Sequence, residues 1–73
     1  MDDFIKRMQK ERDELKYRIG KLEKGMEIFG LSNPKRMTLM ESQLKAMKDY
    51  LFYLEERLHY ELSSLTESRA NEE

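Results

Sequence analysis

The sequence predicts an all-α protein, an antiparallel two-helix hairpin that assembles into a helical oligomer. Three observations carry this expectation. Apolar residues recur at steps of three and four along two helix-length segments, a strong break separates the segments, and the chain is short and highly charged. With 73 residues, 40% of them charged, and no Trp or Cys, a self-sufficient core is hard to close. Chains of this size lean on disulfides, a metal or self-association. Cys is absent, and one His with six Met offers too few ligands at defined spacing for a structural metal, so oligomerisation is the expected solution.

The first element is a helix over residues 3–29. Ile5, Met8, Leu15, Ile19, Leu22, Met26 and Phe29 fall at heptad spacing, with Arg12 in the one vacant slot. Gly20 and Gly25 each cost such a helix about 1 kcal/mol relative to Ala. Their presence points to close approach of another backbone or a ligand, although a tolerated surface Gly is an equal alternative.

The turn spans residues 30–33. Gly30 suits the left-handed position after a helix, Asn33 suits an N-cap, and Pro34 suits the first helical position that follows. A second helix is then expected over residues 34–62, completing a single hairpin domain over residues 1–62. Residues 63–73 lose the apolar pattern and read as a frayed or disordered acidic tail.

The second helix carries two stripes. Met37, Met40, Leu44, Met47, Leu51, Leu54, Leu58 and Leu65 form the seam that meets the first helix. Leu39, Gln43, Ala46, Tyr50, Tyr53, Arg57 and Tyr60 form another, rotated by about 100°. The rotated stripe cannot face the same partner, so Ala46, Tyr50, Tyr53 and Tyr60 are the expected contacts between subunits.

Neither segment approaches the roughly 20 apolar residues of a membrane span, and Met1-Asp2-Asp3 is no basic leader. The protein is expected to be soluble, unprocessed and cytoplasmic, with no membrane partner. Net charge is −1, which argues against binding of a DNA or RNA polymer. The charge is uneven, with Lys and Arg dominating residues 6–48 and Asp and Glu dominating residues 49–73. A local basic surface is therefore available for a small anion.

Catalysis finds little support. His59 is the lone His, and Ser42, Ser63 and Ser64 lack a second base with which to build a relay. The expectation is a non-enzyme with no cofactor and no metal. Tyr50, Tyr53, Arg57 and Tyr60 are neighbours at helical spacing. Such a cluster can stack on bases and fork onto phosphate, or it can fill a protein interface with Arg57 bridging to Glu61. Lys6, Lys10, Lys21 and Lys24, with Arg18, form a basic surface on the first helix; most are solvated partners for nearby Glu residues.

The run Glu14-Leu15-x-x-Arg18-Ile19-x-Lys21-Leu22-Glu23, a Phe near the end of the first helix, and Gln43-Leu44-x-Ala46-Met47-x-x-Tyr50-x-x-x-Leu54-x-x-Arg57 resemble small phage-encoded helical hairpins. That group includes the anti-CBASS sponge proteins, and the resemblance covers residues 11–58. It implies a hexamer that sequesters cyclic dinucleotides, and also cyclic trinucleotides, in pockets between subunits, in the cytoplasm of an infected host. By position it implies that Lys21 contacts the dinucleotide and Arg57 the trinucleotide. Phe4 is the aromatic nearest the chain start and the candidate for base stacking, and Lys24 and Arg18 complete the expected ligand set. A helical protein–protein interaction module, a scaffold or inhibitor using the tyrosine face, is the alternative.

Overall fold

The computed structural model describes residues 2–29 and 33–72, with side chains described from Asp3 to Phe29 and from Asn33 to Leu65. The described chain is all-helical, with α1 spanning Asp2–Phe29 and α2 spanning Pro34–Glu72. Gly30, Leu31 and Ser32 of the expected turn lie outside the described residues.

Local chemistry sets where α2 begins. The Arg36 amide donates to Asn33 Oδ1 at 3.1 Å, and the Met37 amide donates to the Asn33 carbonyl at 3.0 Å. Asn33 is thus a true N-cap, its side chain satisfying the Arg36 amide that the first turn leaves without a partner and its carbonyl accepting the first helical bond. Pro34 follows where its missing N–H costs nothing.

The far end of α2 differs from expectation. The helix runs to Glu72, well past residue 62, so the two helices are unmatched at 28 and 39 residues. Fading of the apolar stripe does not by itself end a helix. Residues 63–72 contain no Gly or Pro, and Glu67, Arg69, Ala70 and Glu72 are good helix formers. Leu65 also packs against the core, which gives this stretch one more anchor.

The helices run antiparallel. Lys16 Nζ lies 3.5 Å from Glu55 Oε2, and Lys48 Nζ lies 3.5 Å from Glu23 Oε2. One heptad forward along α1 is therefore one heptad back along α2. The buried core consists of Ile5, Met8, Leu15 and Ile19 from α1 with Leu54 and Leu58 from α2. Leu54 is its centre at 1% exposure. Leu44, Met47, Leu51 and Leu65 pack around it.

Arg12 occupies its seam position half-buried, its Nε paired with Asp13 at 3.1 Å, so the stem covers apolar surface while the head reaches water. Toward the turn the seam loosens. Leu22, Met26, Met37 and Met40 are only half-buried. Gly25 admits Met40 there, whose methyl would lie 3.4 Å from an added Cβ.

The result is a rod of 61 × 16 × 13 Å with a radius of gyration of 17.2 Å. A compact chain of this length would have a radius near ~11 Å. Two helices leave most of each cylinder without a partner from its own chain.

One polar contact crosses the seam on the flank away from the two ion pairs. Tyr50 donates its hydroxyl hydrogen to the Glu11 carboxylate. That hydrogen bond, together with desolvation and the charge of Glu11, raises the Tyr50 pKa above its ordinary value, against a small opposing pull from Arg57. A phenol whose pKa is raised by folding adds stability that is complete below its unfolded value of about 10 and lost as pH climbs through the folded value. Thermal melts followed by circular dichroism from pH 8 to 11 should therefore show an alkaline fall in Tm. Tyr50→Phe should make that fall shallower, and an identical pH profile in the variant would remove the contact from the account.

Candidate functional site

Helical geometry divides the expected ligand residues between two surfaces. Tyr17 and Lys21 lie two residues on either side of buried Ile19, so each is turned roughly 160° from the seam. Lys24, Lys6 and Lys10 fall on the same outer side of α1 by the same count. Arg18, Phe4 and Glu11 lie instead on the flank that carries Tyr50, Arg57, Ala46 and Leu39 of α2. Within one chain Lys21 and Lys24 thus lie on a different face from Arg57 and Phe4, with Arg18 one helical turn from Lys21 at the boundary between the two.

On the outer side of α1, Lys16, Tyr17, Gly20, Lys21 and Lys24 line a shallow hollow of about 190 Å³. Lys21 Nζ sits 5.3 Å from the centroid of the Tyr17 ring, a cation–π contact one helical turn long. Such a contact is worth about 0.5–1 kcal/mol when exposed, enough to hold the ammonium beside the ring and leave its other hydrogens to an anion. Tyr17 itself is 67% exposed.

Lys16 is engaged with Glu55, but among the described residues neither Lys21 nor Lys24 has a carboxylate partner. The expected pairing of α1 lysines with Glu residues of the same helix is confined to Lys10 and Glu14, at 4.0 Å. Glu23 and Glu11 are instead drawn across the seam by Lys48 and Tyr50. Two uncompensated ammonium groups beside a bare aromatic ring suit a phosphate next to a base.

Gly20 forms the floor of this hollow. A Cβ built there meets nothing within 4 Å. Its φ is not positive either, so neither packing nor backbone conformation within the chain calls for glycine, in contrast to Gly25. A wider hollow of about 470 Å³ among Asp3, Lys6, Arg7 and Lys10 lies farther along α1. It offers no aromatic ring and includes a carboxylate.

The second surface centres on the Glu11–Tyr50 contact. One heptad toward the free ends of the hairpin brings Phe4 level with Arg57, and one heptad toward the turn brings Arg18 level with Gln43. Arg57 is exposed and makes no ion pair with Glu61 among the described residues. Tyr53 and Tyr60 are 64% and 68% exposed, and Ala46 is exposed. Tyr50 differs from them, since its hydroxyl is already committed to α1.

Tyr17 escaped the sequence reading because it belongs to neither apolar stripe. Its signal was a Tyr one turn before a Lys, with Gly between them. Among the described residues no group of three or more His, Cys, Asp or Glu side chains is placed to hold a metal ion, and no helix is long and apolar enough to cross a membrane.

Fold and surface together define a small helical hairpin that presents cationic and aromatic contact surfaces. A family model described as Sequestin matches residues 2–60, and the chain belongs to that family. The match agrees with the sponge-like family recognised from residues 11–58, and the family's name denotes sequestration of a ligand rather than its chemical conversion. No curated protein and no solved structure matches the chain.

The absence of any contact to Gly20 generates a measurable asymmetry. Gly20→Ala should stabilise the hairpin by up to ~1 kcal/mol through helix propensity alone. Gly25→Ala should gain less, because its new methyl meets Met40. Urea midpoints of the two variants against the parent chain test this, and a destabilised Gly20→Ala would mean that its outer face is not open.

Proposed function

We propose that the protein is a non-enzymatic sponge that sequesters cyclic oligonucleotide second messengers, acting for a phage against host immune signalling. The observation that carries this reading is the hollow on α1. There Lys21 and Lys24 stand without carboxylate partners among the described residues, around the exposed Tyr17 ring and the bare backbone of Gly20. A cyclic dinucleotide carries two phosphates, each calling for cations, and two bases, each calling for a flat partner. Family membership supplies the sequestering role; the cyclic oligonucleotide is the ligand whose chemistry answers these side chains.

A hollow of about 190 Å³ falls below the 300–1,000 Å³ usual for ligand pockets, so a single chain provides only part of an enclosure. The remainder comes from other copies. Exposed Tyr53, Tyr60, Ala46 and Leu39, on the flank away from the two cross-seam ion pairs, are the surface through which copies associate without ligand, a reading supported by the small core that a 16 × 13 Å cross-section leaves to one chain. Arg57, level with Phe4 on that flank, is the candidate contact for a cyclic trinucleotide at a separate site. Sequestration then works by mass action, lowering the free messenger below the concentration its effector needs.

Isothermal titration of the full chain with cyclic di- and trinucleotides tests this assignment. Binding of at least one is expected, with Lys21→Ala and Tyr17→Ala each weakening a bound cyclic dinucleotide by about tenfold, in line with ~1–3 kcal/mol for a base–aromatic stack. Arg57→Ala should weaken only the trinucleotide. Retained helicity in all three variants confines the loss to the site. Absence of binding across the panel, with a stable complex to one host protein instead, would favour an interaction module using the tyrosine face.

A further inference from the structure

We propose that Met26, Met37 and Met40 form a thioether site for a soft monovalent metal ion, Cu(I) or its analogue Ag(I), in the hollow at the turn end of the hairpin. The site is separate from the α1 hollow, and it stands whether or not the chain binds a nucleotide.

The seam changes character toward the turn. Its core is closed by residues such as Leu15, Ile19, Leu54 and Leu58, whereas Met26, Met37 and Met40 come from both helices and are half-buried. Met26 and Met37 line one hollow of about 430 Å³, together with Leu44, Glu23 and Glu27. Met37 and Met40 are one helical turn apart and so share a face of α2. Met40 reaches across to α1, where its methyl would lie 3.4 Å from a Cβ added to Gly25. Gly25 precedes Met26, so the glycine admits a third thioether beside the residue that carries the first. A methionine that acts only as filler closes the space around it. Here the space stays open, at a volume within the ~300–1,000 Å³ of ordinary ligand sites.

The charges around this hollow favour a cation. No lysine or arginine lines it, and Glu23 and Glu27 stand on its rim. Glu23 is held by Lys48 at 3.5 Å, while Glu27 makes no ion pair among the described residues. Thioether sulfur is a neutral, polarisable donor that offers little to hard cations such as Mg²⁺ and Ca²⁺ and suits Cu(I). Three neutral ligands leave the charge of the ion uncompensated, and the nearby carboxylate of Glu27 offsets it. No spacing along a single helix contains the site, because Met26 joins Met37 and Met40 only when the hairpin closes. The ion is a guest of the fold, which the apolar seam holds without it.

Titration of the full chain with silver nitrate in chloride-free buffer tests the site, followed by calorimetry and by the methionine methyl signals in carbon–proton correlation spectra. One Ag(I) per chain is expected, shifting the methyls of Met26, Met37 and Met40 and leaving those of Met8 and Met47 in place. Cu(I) kept reduced with ascorbate should move the same three methyls, and Mg²⁺ should move none. Met37→Leu should weaken uptake by at least the ~tenfold that loss of a supporting group around a metal costs. Met26→Leu, Met37→Leu and Met40→Leu together should abolish uptake with helicity retained, since Leu nearly matches Met in volume. Absence of uptake, Ag(I) shifts at His59 without shifts at the three methyls, or undiminished uptake by the triple variant would overturn the proposal. Equal methyl shifts with Mg²⁺ would also overturn it, by assigning the binding to the carboxylates. The spectra of the parent chain decide between these outcomes without reliance on any variant.

Discussion

The structure depends on a single apolar seam. Each helix commits one narrow stripe to the other, and six side chains centred on Leu54 carry the burial. A seam between two helices covers only one side of each cylinder, so every other residue faces away from the chain's own core. This constraint explains why a protein that is 40% charged can still expose so many aromatics. It also explains why polar contacts sit along the seam margins, with Lys16–Glu55 and Glu23–Lys48 on one flank and Glu11–Tyr50 on the other. Those contacts are exposed and individually weak; they fix register more than they add stability.

From the seam outward, the surfaces acquire different capacities. One flank spends Lys16, Glu23, Lys48 and Glu55 on two ion pairs across the seam. The opposite flank presents exposed Tyr53, Tyr60, Leu39 and Ala46. The outer side of α1 lacks apolar breadth, and there Lys21 and Lys24, without carboxylate partners among the described residues, line a hollow with Tyr17 over an open backbone. A protein that only binds requires nothing further, because sequestration asks for affinity and copy number and no reacting group. Membership of the Sequestin family is in keeping with such an economy of parts.

Much of the fold was legible because its determinants are local or periodic. The spacing of Ile5, Met8, Leu15 and Ile19 marks a helical face without knowledge of the partner, and Asn33-Pro34 announces a helix start within two residues. The end of α2 was not legible from the stripe, since residues 63–72 keep helix propensity after the apolar pattern fades. The partner of Tyr50 depends on the register between helices, which no single-helix pattern contains; its hydroxyl donates to Glu11 across the seam. Lys21 was visible as a candidate, but Tyr17 was not, because attention to stripes passes over a lone aromatic on a charged face. Counting two residues either way from Ile19 would have placed Tyr17 and Lys21 together. Gly20, by contrast, was noticed for its helix cost, and the structure separates it from Gly25 by showing that only Gly25 has a neighbour.

Sequestration, as proposed, means that a bound messenger is held and left unchanged. Its most direct test is to saturate the full chain with a cyclic oligonucleotide that binds, remove the free ligand by gel filtration, denature the complex with heat, and analyse what is released by liquid chromatography and mass spectrometry. The account predicts recovery of the intact cyclic species, in the amount that was bound, after hours of incubation. Recovery of a linear or shortened product would contradict it and make the protein a phosphodiesterase.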